Sequence, residues 1–370
     1  MSEYIHIVCL EAPSPPDYGG AIDMYYKIIA LAKTGKKIIL HYFSYRNNRG
    51  IHGLEAFCSE VHAYERKGIR SLSFKKPFIV SSRINKALVT RLNQDDYPVI
   101  LEGLHCSGLA FYLEDQSRVI IRMHNEESEY YKRLAASEEN LKRKAYFKME
   151  SRLVKKYYKS LSRLDLKYAC LSLFDMEVMK NEFHLKDLHF IPCFIPWKEN
   201  ISLEGKGDYC LYHGNMKVSE NESAALWLID IFSKLNIVLV IAGAGISRRL
   251  GNAARKSRNV KLINDPAMEE LNALVRDAHI HVLPSMNATG VKLKLLHAVF
   301  EGRFCLTNTN GVKGSALESL VHIADTPAEF RKMITELYER PFTQEDKKNR
   351  LQLLAVYNNI KNAEKINALC

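Results

Sequence analysis

The 370-residue chain has no apolar run long enough to span a bilayer. Its longest, Ile237–Ile246, is about half of the roughly 20 residues that a spanning helix needs. It has no CxxC pair. The eight cysteines (Cys9, Cys58, Cys106, Cys170, Cys193, Cys210, Cys305 and Cys370) are scattered, which argues against a zinc site or a disulfide framework and for the reduced thiols of a cytosolic protein. No charged stretch followed by an apolar core and a cleavage site opens the chain, so no secretion signal is expected. There is no GxGxxG fingerprint and no GKS/T of a P-loop. Internal repeats, low-complexity tracts and the aromatic signature of an RNA-binding sheet are also missing, so no nucleic-acid partner is expected.

The composition is otherwise ordinary, with 47% hydrophobic and 26% charged residues. That excludes wholesale disorder and collagen, and the length suggests two domains. Charge is the exception. Lysine and arginine total 53 against 42 acidic residues, for a net charge of +11. Residues 132–167 hold 12 basic and 4 acidic residues. A field of that sign attracts phosphate in a nucleotide, an anionic lipid or a nucleic acid. A solvated helix face is the plainer alternative.

Short β-rich runs alternate with helical segments. Strands are expected at Tyr4–Leu10, Lys37–Phe43, Val99–Glu102, Val119–Met123 and Leu166–Ser172, with a helix over Ala21–Lys33 and a long amphipathic one over Glu126–Ser162. A proline-marked stretch, Phe190–Trp197, then leads into acid-rich sequence and reads as a linker. The alternation restarts with strands at Tyr209–His213, Ile237–Ala242, Val260–Ile263, His279–Leu283 and Phe304–Thr307. Helices are expected at Ser219–Lys234, Ala267–Asp277, Val291–Phe300 and through Thr343–Cys370. The pattern predicts an α/β protein of two Rossmann-like βαβ domains facing across a cleft. The expected divisions are 1–195, 196–345 and a helical tail, 346–370, packing back on the first domain.

Ligands in open α/β sheets bind beyond the carboxyl ends of strands, so the strand-to-helix loops are the candidate sites. Pro15–Gly20 opens the first helix with paired glycines, Gly19 and Gly20, which allow close backbone approach to an anion. His124 stands at the tip of the strand Val119–Met123. Gly243-Ala244-Gly245 makes a tight turn, with Arg248 just beyond. The most informative loop is Pro284–Lys294, which contains Ser285, Asn287, Thr289, Gly290, Val291, Lys292 and Lys294. Two lysines in the first turn of a helix are electrostatically unfavourable by themselves, which points to an anion held between them and the helix amides.

These segments together resemble the retaining glycosyltransferases of the GT-B fold, family 4-like, in the glycosyl transferases group 1. The resemblance rests on Pro16-Asp17-Tyr18-Gly19-Gly20, on Arg122-Met123-His124-Asn125-Glu126 with Tyr130-Tyr131, on Tyr212-His213-Gly214-Asn215, on Ile241-Ala242-Gly243, on Asp277–Ser285 and on His297–Arg303. It implies hexosyl transfer from a nucleotide-sugar donor to a glycan or lipid-linked acceptor, with retention and without a metal. No cofactor is implied, since the nucleotide-sugar is a substrate. The C-terminal domain would hold the donor through Gly214, Asn215, Gly243, Arg248, Ser285, Thr289, Gly290, Val291, Lys292 and His297, with Gly19 and Gly20 near its phosphates. His124, Asn287 and Lys294 would serve the chemistry. Relatives of this kind suggest a cytoplasmic protein in peripheral contact with the anionic inner face of the membrane.

Two positions depart from the pattern. Where the family commonly carries two glutamates eight residues apart, this chain has Thr289 and His297. The usual basic pair after the first C-terminal strand falls near Asn215 and Glu220, which leaves Lys292 and Lys294 as the candidate diphosphate cations and Lys217 as a weaker substitute. A catalytically degenerate scaffold or partner subunit therefore stands as an alternative, and a sugar-nucleotide epimerase as a weaker one.

Overall fold

The computed structural model describes the chain except residues 1, 46, 47, 69 and 70 and the side chains of 137, 352 and 353. The described chain forms two compact units: Met1–Pro196 with Tyr357–Cys370, and Trp197–Val356.

The first unit is built on seven strands: β1 (Tyr4–Cys9), β2 (Lys37–Ser44), β3 (Cys58–Glu65), β4 (Val99–Glu102), β5 (Val119–Met123), β6 (Lys167–Cys170) and β7 (Leu188–Phe190). They form one parallel sheet in the order β3-β2-β1-β4-β5-β6-β7. The second unit carries β8 (Cys210–His213), β9 (Leu239–Gly243), β10 (Val260–Asn264), β11 (Ile280–Val282), β12 (Phe304–Thr307) and β13 (His322–Ile323). These are also parallel, in the order β10-β9-β8-β11-β12-β13. The expected α/β class with two Rossmann-like units is the class observed.

The central strands β4, β5, β8 and β9 are buried along their whole length. Strands covered by helices on both faces read as continuous apolar runs rather than alternating ones, which is why they were visible in the sequence. The edge strand β3 is largely exposed, and its residues Cys-Ser-Glu-Val-His-Ala-Tyr-Glu carry no such run. In the first unit, Ala363 and Ile366 of the C-terminal helix Asn359–Asn367 join the core formed by β1 and the helix Gly19–Lys33.

Two expectations need correction. The helix expected over Glu126–Ser162 is two helices, Glu127–Ser137 and Leu141–Leu161. Asn140 caps the second, accepting from the amides of Lys142 and Arg143 at 3.1 Å. Such a side-chain acceptor starts a helix rather than continuing one. The helix expected over Thr343–Cys370 is three short ones, Gln344–Lys348, Leu351–Val356 and Asn359–Asn367. The first break holds Arg350, buried with its guanidinium donating to the carbonyls of Val299, Gly302 and Arg303.

Candidate active site

In each sheet the strand order reverses once beside the first strand of the unit: between β1 and β4, and between β8 and β11. Crevices at such switch points are the ligand sites of open α/β sheets. Some of the candidate residues lie beside each.

In the first unit, Glu102 ends β4 and His124 follows β5. His124 Nε2 is 2.9 Å from Glu102 Oε2. An ionised carboxylate only accepts, so Nε2–H donates and a neutral ring keeps Nδ1 as an acceptor. A Cβ built on Gly20 would stand 3.0 Å from the Tyr18 ring and 3.5 Å, an ordinary contact, from that Nδ1. Gly19 is the first residue of the helix Gly19–Lys33. The preceding loop is pinned by Arg49, which donates to Asp17 at 2.6 Å and to the carbonyls of Ala12 and Pro15.

Beneath His124 lies a buried charge cluster that the sequence reading did not include. Lys27 Nζ sits 3.0 Å from Asp23 Oδ2 and 2.5 Å from Glu102 Oε1. Arg122 forks onto both Asp23 oxygens at 2.8 and 3.1 Å, and its remaining donors reach the carbonyls of Ile191 and Pro192. The formal charges cancel. Burial pushes the Asp23 carboxyl up, but Arg122 and Lys27 together outweigh it and hold the group well below the usual carboxylate range. Glu102 is likewise held down by Lys27 and His124 against the cost of its burial. Asp23, Glu102 and His124 offer ligand atoms within 4.8 Å of one another. The ammonium between the two carboxylates and the Arg122 fork already supply their counter-charge, so this trio fits a divalent ion poorly.

Two neighbours of His124 also matter. Glu126 caps the following helix, accepting from the amides of Ser128 and Glu129. Glu127 is buried, and burial pushes its carboxyl up to about 8.

In the second unit, the turns after β8 and β9 interlock. A Cβ on Gly243 would lie 1.8 Å from the Gly214 carbonyl oxygen, so only glycine permits this approach. Asn215 accepts from the Lys217 amide through its side chain, and from Asn221 Nδ2 through its carbonyl. Arg248 lies exposed at the start of the helix Arg248–Ala254, after β9 and one strand away from the switch point.

The loop after β11 is held by its own side chains. Asn287 Oδ1 accepts from both the amide and the hydroxyl of Thr289, and Ser285 Oγ donates to the Asn287 carbonyl. Gly290 takes a left-handed turn at φ 67°, with Val291 half-buried beside it. The helix begins at Leu293 rather than Val291, with Lys292 at its cap position and no side-chain cap. Lys292 Nζ turns back to the Thr289 carbonyl at 2.5 Å.

Lys294 reaches across to β8. Its Nζ lies 3.2 Å from both the Tyr212 hydroxyl and Asn221 Oδ1, and 4.6 Å above the Tyr212 ring. Burial, helped by Lys292, lowers this amine from its ordinary 10.5 to about 7. The lysine thus ties the first turn of the helix after β11 to β8 and to the helix Ser219–Phe232 that follows it. Of its partners, Asn221 had drawn no attention in the sequence, and Tyr212 only as part of the segment Tyr212-His213-Gly214-Asn215. His297 is packed further in, stacked on Trp197 at 4.8 Å and bonded to Glu301 at 3.2 Å.

Residues 207–340 match the family Glycosyl transferases group 1. A relative from Klebsiella pneumoniae, an uncharacterized 44.6 kDa protein in the cps region, is 26% identical over 329 residues, 84% of each chain. The solved structure of TarM aligns over 100% of this chain and 99% of its own, at 11% identity and a TM-score of 0.69. Anabaena Alr3699/HepE, solved in complex with UDP and glucose, aligns over 99% and 98%, at 10% identity and a TM-score of 0.67. An α,α-trehalose-phosphate synthase (UDP-forming) from Burkholderia xenovorans aligns over the full length of both chains, at 10% identity and a TM-score of 0.64. The chain therefore has the GT-B fold, and the β8–β11 crevice lies inside the segment that matches the group 1 family model. Among the described residues no helix is long and apolar enough to cross a membrane.

Proposed function

We propose that this protein is a retaining, metal-independent glycosyltransferase. It moves a hexose from a nucleotide-sugar to a glycan or lipid-linked acceptor. The reading places it in the cytoplasm, in peripheral contact with the anionic inner membrane face. The observation that carries it is the position of Lys294 at the β8–β11 switch point, inside the segment of group 1 type. Departure of a nucleoside diphosphate builds negative charge. A preplaced amine beside the uncapped N-terminus of the helix Leu293–Glu301 stabilises that charge where it develops.

The donor would lie against Gly214, Asn215 and Gly243, with Gly290 and Val291 allowing close approach. In this reading no side chain attacks the sugar. The leaving phosphate helps to deprotonate the acceptor on the face it departs from. His124, held through its Nε2 by Glu102, orients the sugar.

A thermal-shift panel of UDP, GDP, CDP, ADP and dTDP tests the reading, with Lys294→Ala beside the wild type. A nucleotide at a hundred times its dissociation constant adds about 2.7 kcal/mol. One nucleotide is expected to shift the wild type and to shift the variant far less. If none shifts the wild type, the scaffold alternative replaces this reading.

A further inference from the structure

Along the helix Leu141–Leu161, Lys144, Lys148, Ser151, Arg152 and Lys155 fall at intervals that share one face. That face and Lys132, Ala135 and Ala136 of the helix Glu127–Ser137 enclose an open groove of about 570 Å³. The volume is within the range that takes one small organic molecule. Ser151 Oγ donates to the Ser128 carbonyl at 2.8 Å, which ties the two helices together beside it.

The groove has two characters. Its walls are alanine methyls and the aliphatic stems of basic residues. Its rim is five cations. Among the described residues no carboxylate forms an ion pair with Lys144, Lys148 or Arg152, whereas Lys132 pairs with Glu129 at 3.0 Å and Lys155 feels the buried Glu126. Long basic side chains lay their stems on apolar surface while their charged heads stay in water. A simple solvated face needs no concavity. A flat polyanion would meet the cations and leave the apolar walls empty.

We propose that this groove binds one phosphorylated amphiphile. Its phosphate is held by Lys144, Lys148 and Arg152, and the first carbons of its chain lie along Ala135, Ala136 and the lysine stems. In the sugar-transfer reading such a ligand is the anchor of a lipid-linked acceptor. Only that assignment rests on the reading; the groove and its chemistry do not.

The test is calorimetric titration of the full chain with monomeric dioctanoyl phosphatidic acid. Inorganic phosphate and dioctanoylglycerol serve as half-ligands. The wild type is expected to bind the phosphatidic acid at least about tenfold more tightly than either half. Lys148→Glu/Arg152→Glu is expected to lose about tenfold or more, since each basic residue near an anionic headgroup contributes on the order of 1 kcal/mol. Both positions are exposed, and circular dichroism checks the fold. If the double charge reversal does not fold, Lys148→Gln/Arg152→Gln replaces it, with the same direction expected. Equal affinity for inorganic phosphate overturns the amphiphile. Equal binding by wild type and variant, or no binding by the wild type, overturns the groove. The nucleotide shift of the same variant reports separately on the donor site. Loss of lipid binding with that shift retained is the expected pair of results.

Discussion

His124 Nε2 and Glu102 Oε2 meet at 2.9 Å at the carboxyl ends of the neighbouring parallel strands β5 and β4. Glu102 therefore holds two groups at once, the imidazole above it and the Lys27 ammonium at 2.5 Å beside it. Glu102→Gln leaves Lys27 with Asp23 alone and offers His124 an amide that can donate as well as accept. Removing one partner of a buried ion pair costs about 3–5 kcal/mol, and the amide that remains places the expected loss near the lower figure. Urea unfolding measures it. An unchanged midpoint would mean that Lys27 is neutralised elsewhere.

Lys294 couples nucleotide binding to protons. Burial and Lys292 hold the free amine near 7, and an anionic diphosphate beside it favours the charged form. Binding above pH 7 is then expected to take up a proton, and affinity to fall as pH rises through 7 toward the amine's value in the complex. Calorimetry in two buffers of different ionisation enthalpy reads the uptake directly. Lys294→Ala is expected to abolish it. Uptake that survives in that variant assigns the proton to another group.

Much of this arrangement was legible because it depends on pattern. The runs Val99–Glu102 and Val119–Met123 announce buried parallel strands, and the loops that follow such strands are where ligands bind. Gly20, His124 and Lys294 were singled out as candidates on the same reasoning. The charge cluster was not. Asp23 and Lys27 are four residues apart on a helix, a spacing that usually marks an exposed pair, and only the sheet brings Arg122 and Glu102 to them. The polar Glu102 closing an otherwise apolar strand was the available signal. Tyr212 and Asn221 became partners of Lys294 through a contact more than seventy residues distant in sequence. The split of Glu126–Ser162 was hidden because both pieces keep helical periodicity, and the Asn140 cap decides the break.

Gly243→Ala is expected to be severe for the second unit. The added methyl meets the Gly214 carbonyl oxygen at 1.8 Å, and neither turn can withdraw without breaking the bond from the Gly214 amide to the Ala242 carbonyl at 3.1 Å. Overpacking ordinarily costs about 1–3 kcal/mol, and a backbone clash at this distance should exceed that. Gly68→Ala is the control, since nothing lies within 4 Å of a Cβ there. Thermal unfolding should separate the two variants clearly. Equal melting temperatures would refute the interlocked turns.

Glu127 gives the protein an alkaline weakness. Burial, with Glu126 and Asp175 adding to it against a hydrogen bond from Asn125, raises its carboxyl to about 8 from an ordinary 4.5. Between those values the folded chain keeps a proton that the unfolded chain releases, so stability is full below pH 4.5 and falls as pH rises to 8. Glu127→Gln keeps the neutral form at every pH. The variant should match the wild type at pH 4 and exceed it by several kcal/mol at pH 9, at about 1.4 kcal/mol for each pH unit between the two values. His41 and His281 act in the opposite sense. Burial lowers them to about 2 and 3, so their neutral forms cost stability as pH falls below 6.5. Because both histidines are present in wild type and variant alike, they cancel from the comparison. The difference between the two unfolding free energies therefore isolates Glu127, and a difference that does not grow with pH would place its proton elsewhere.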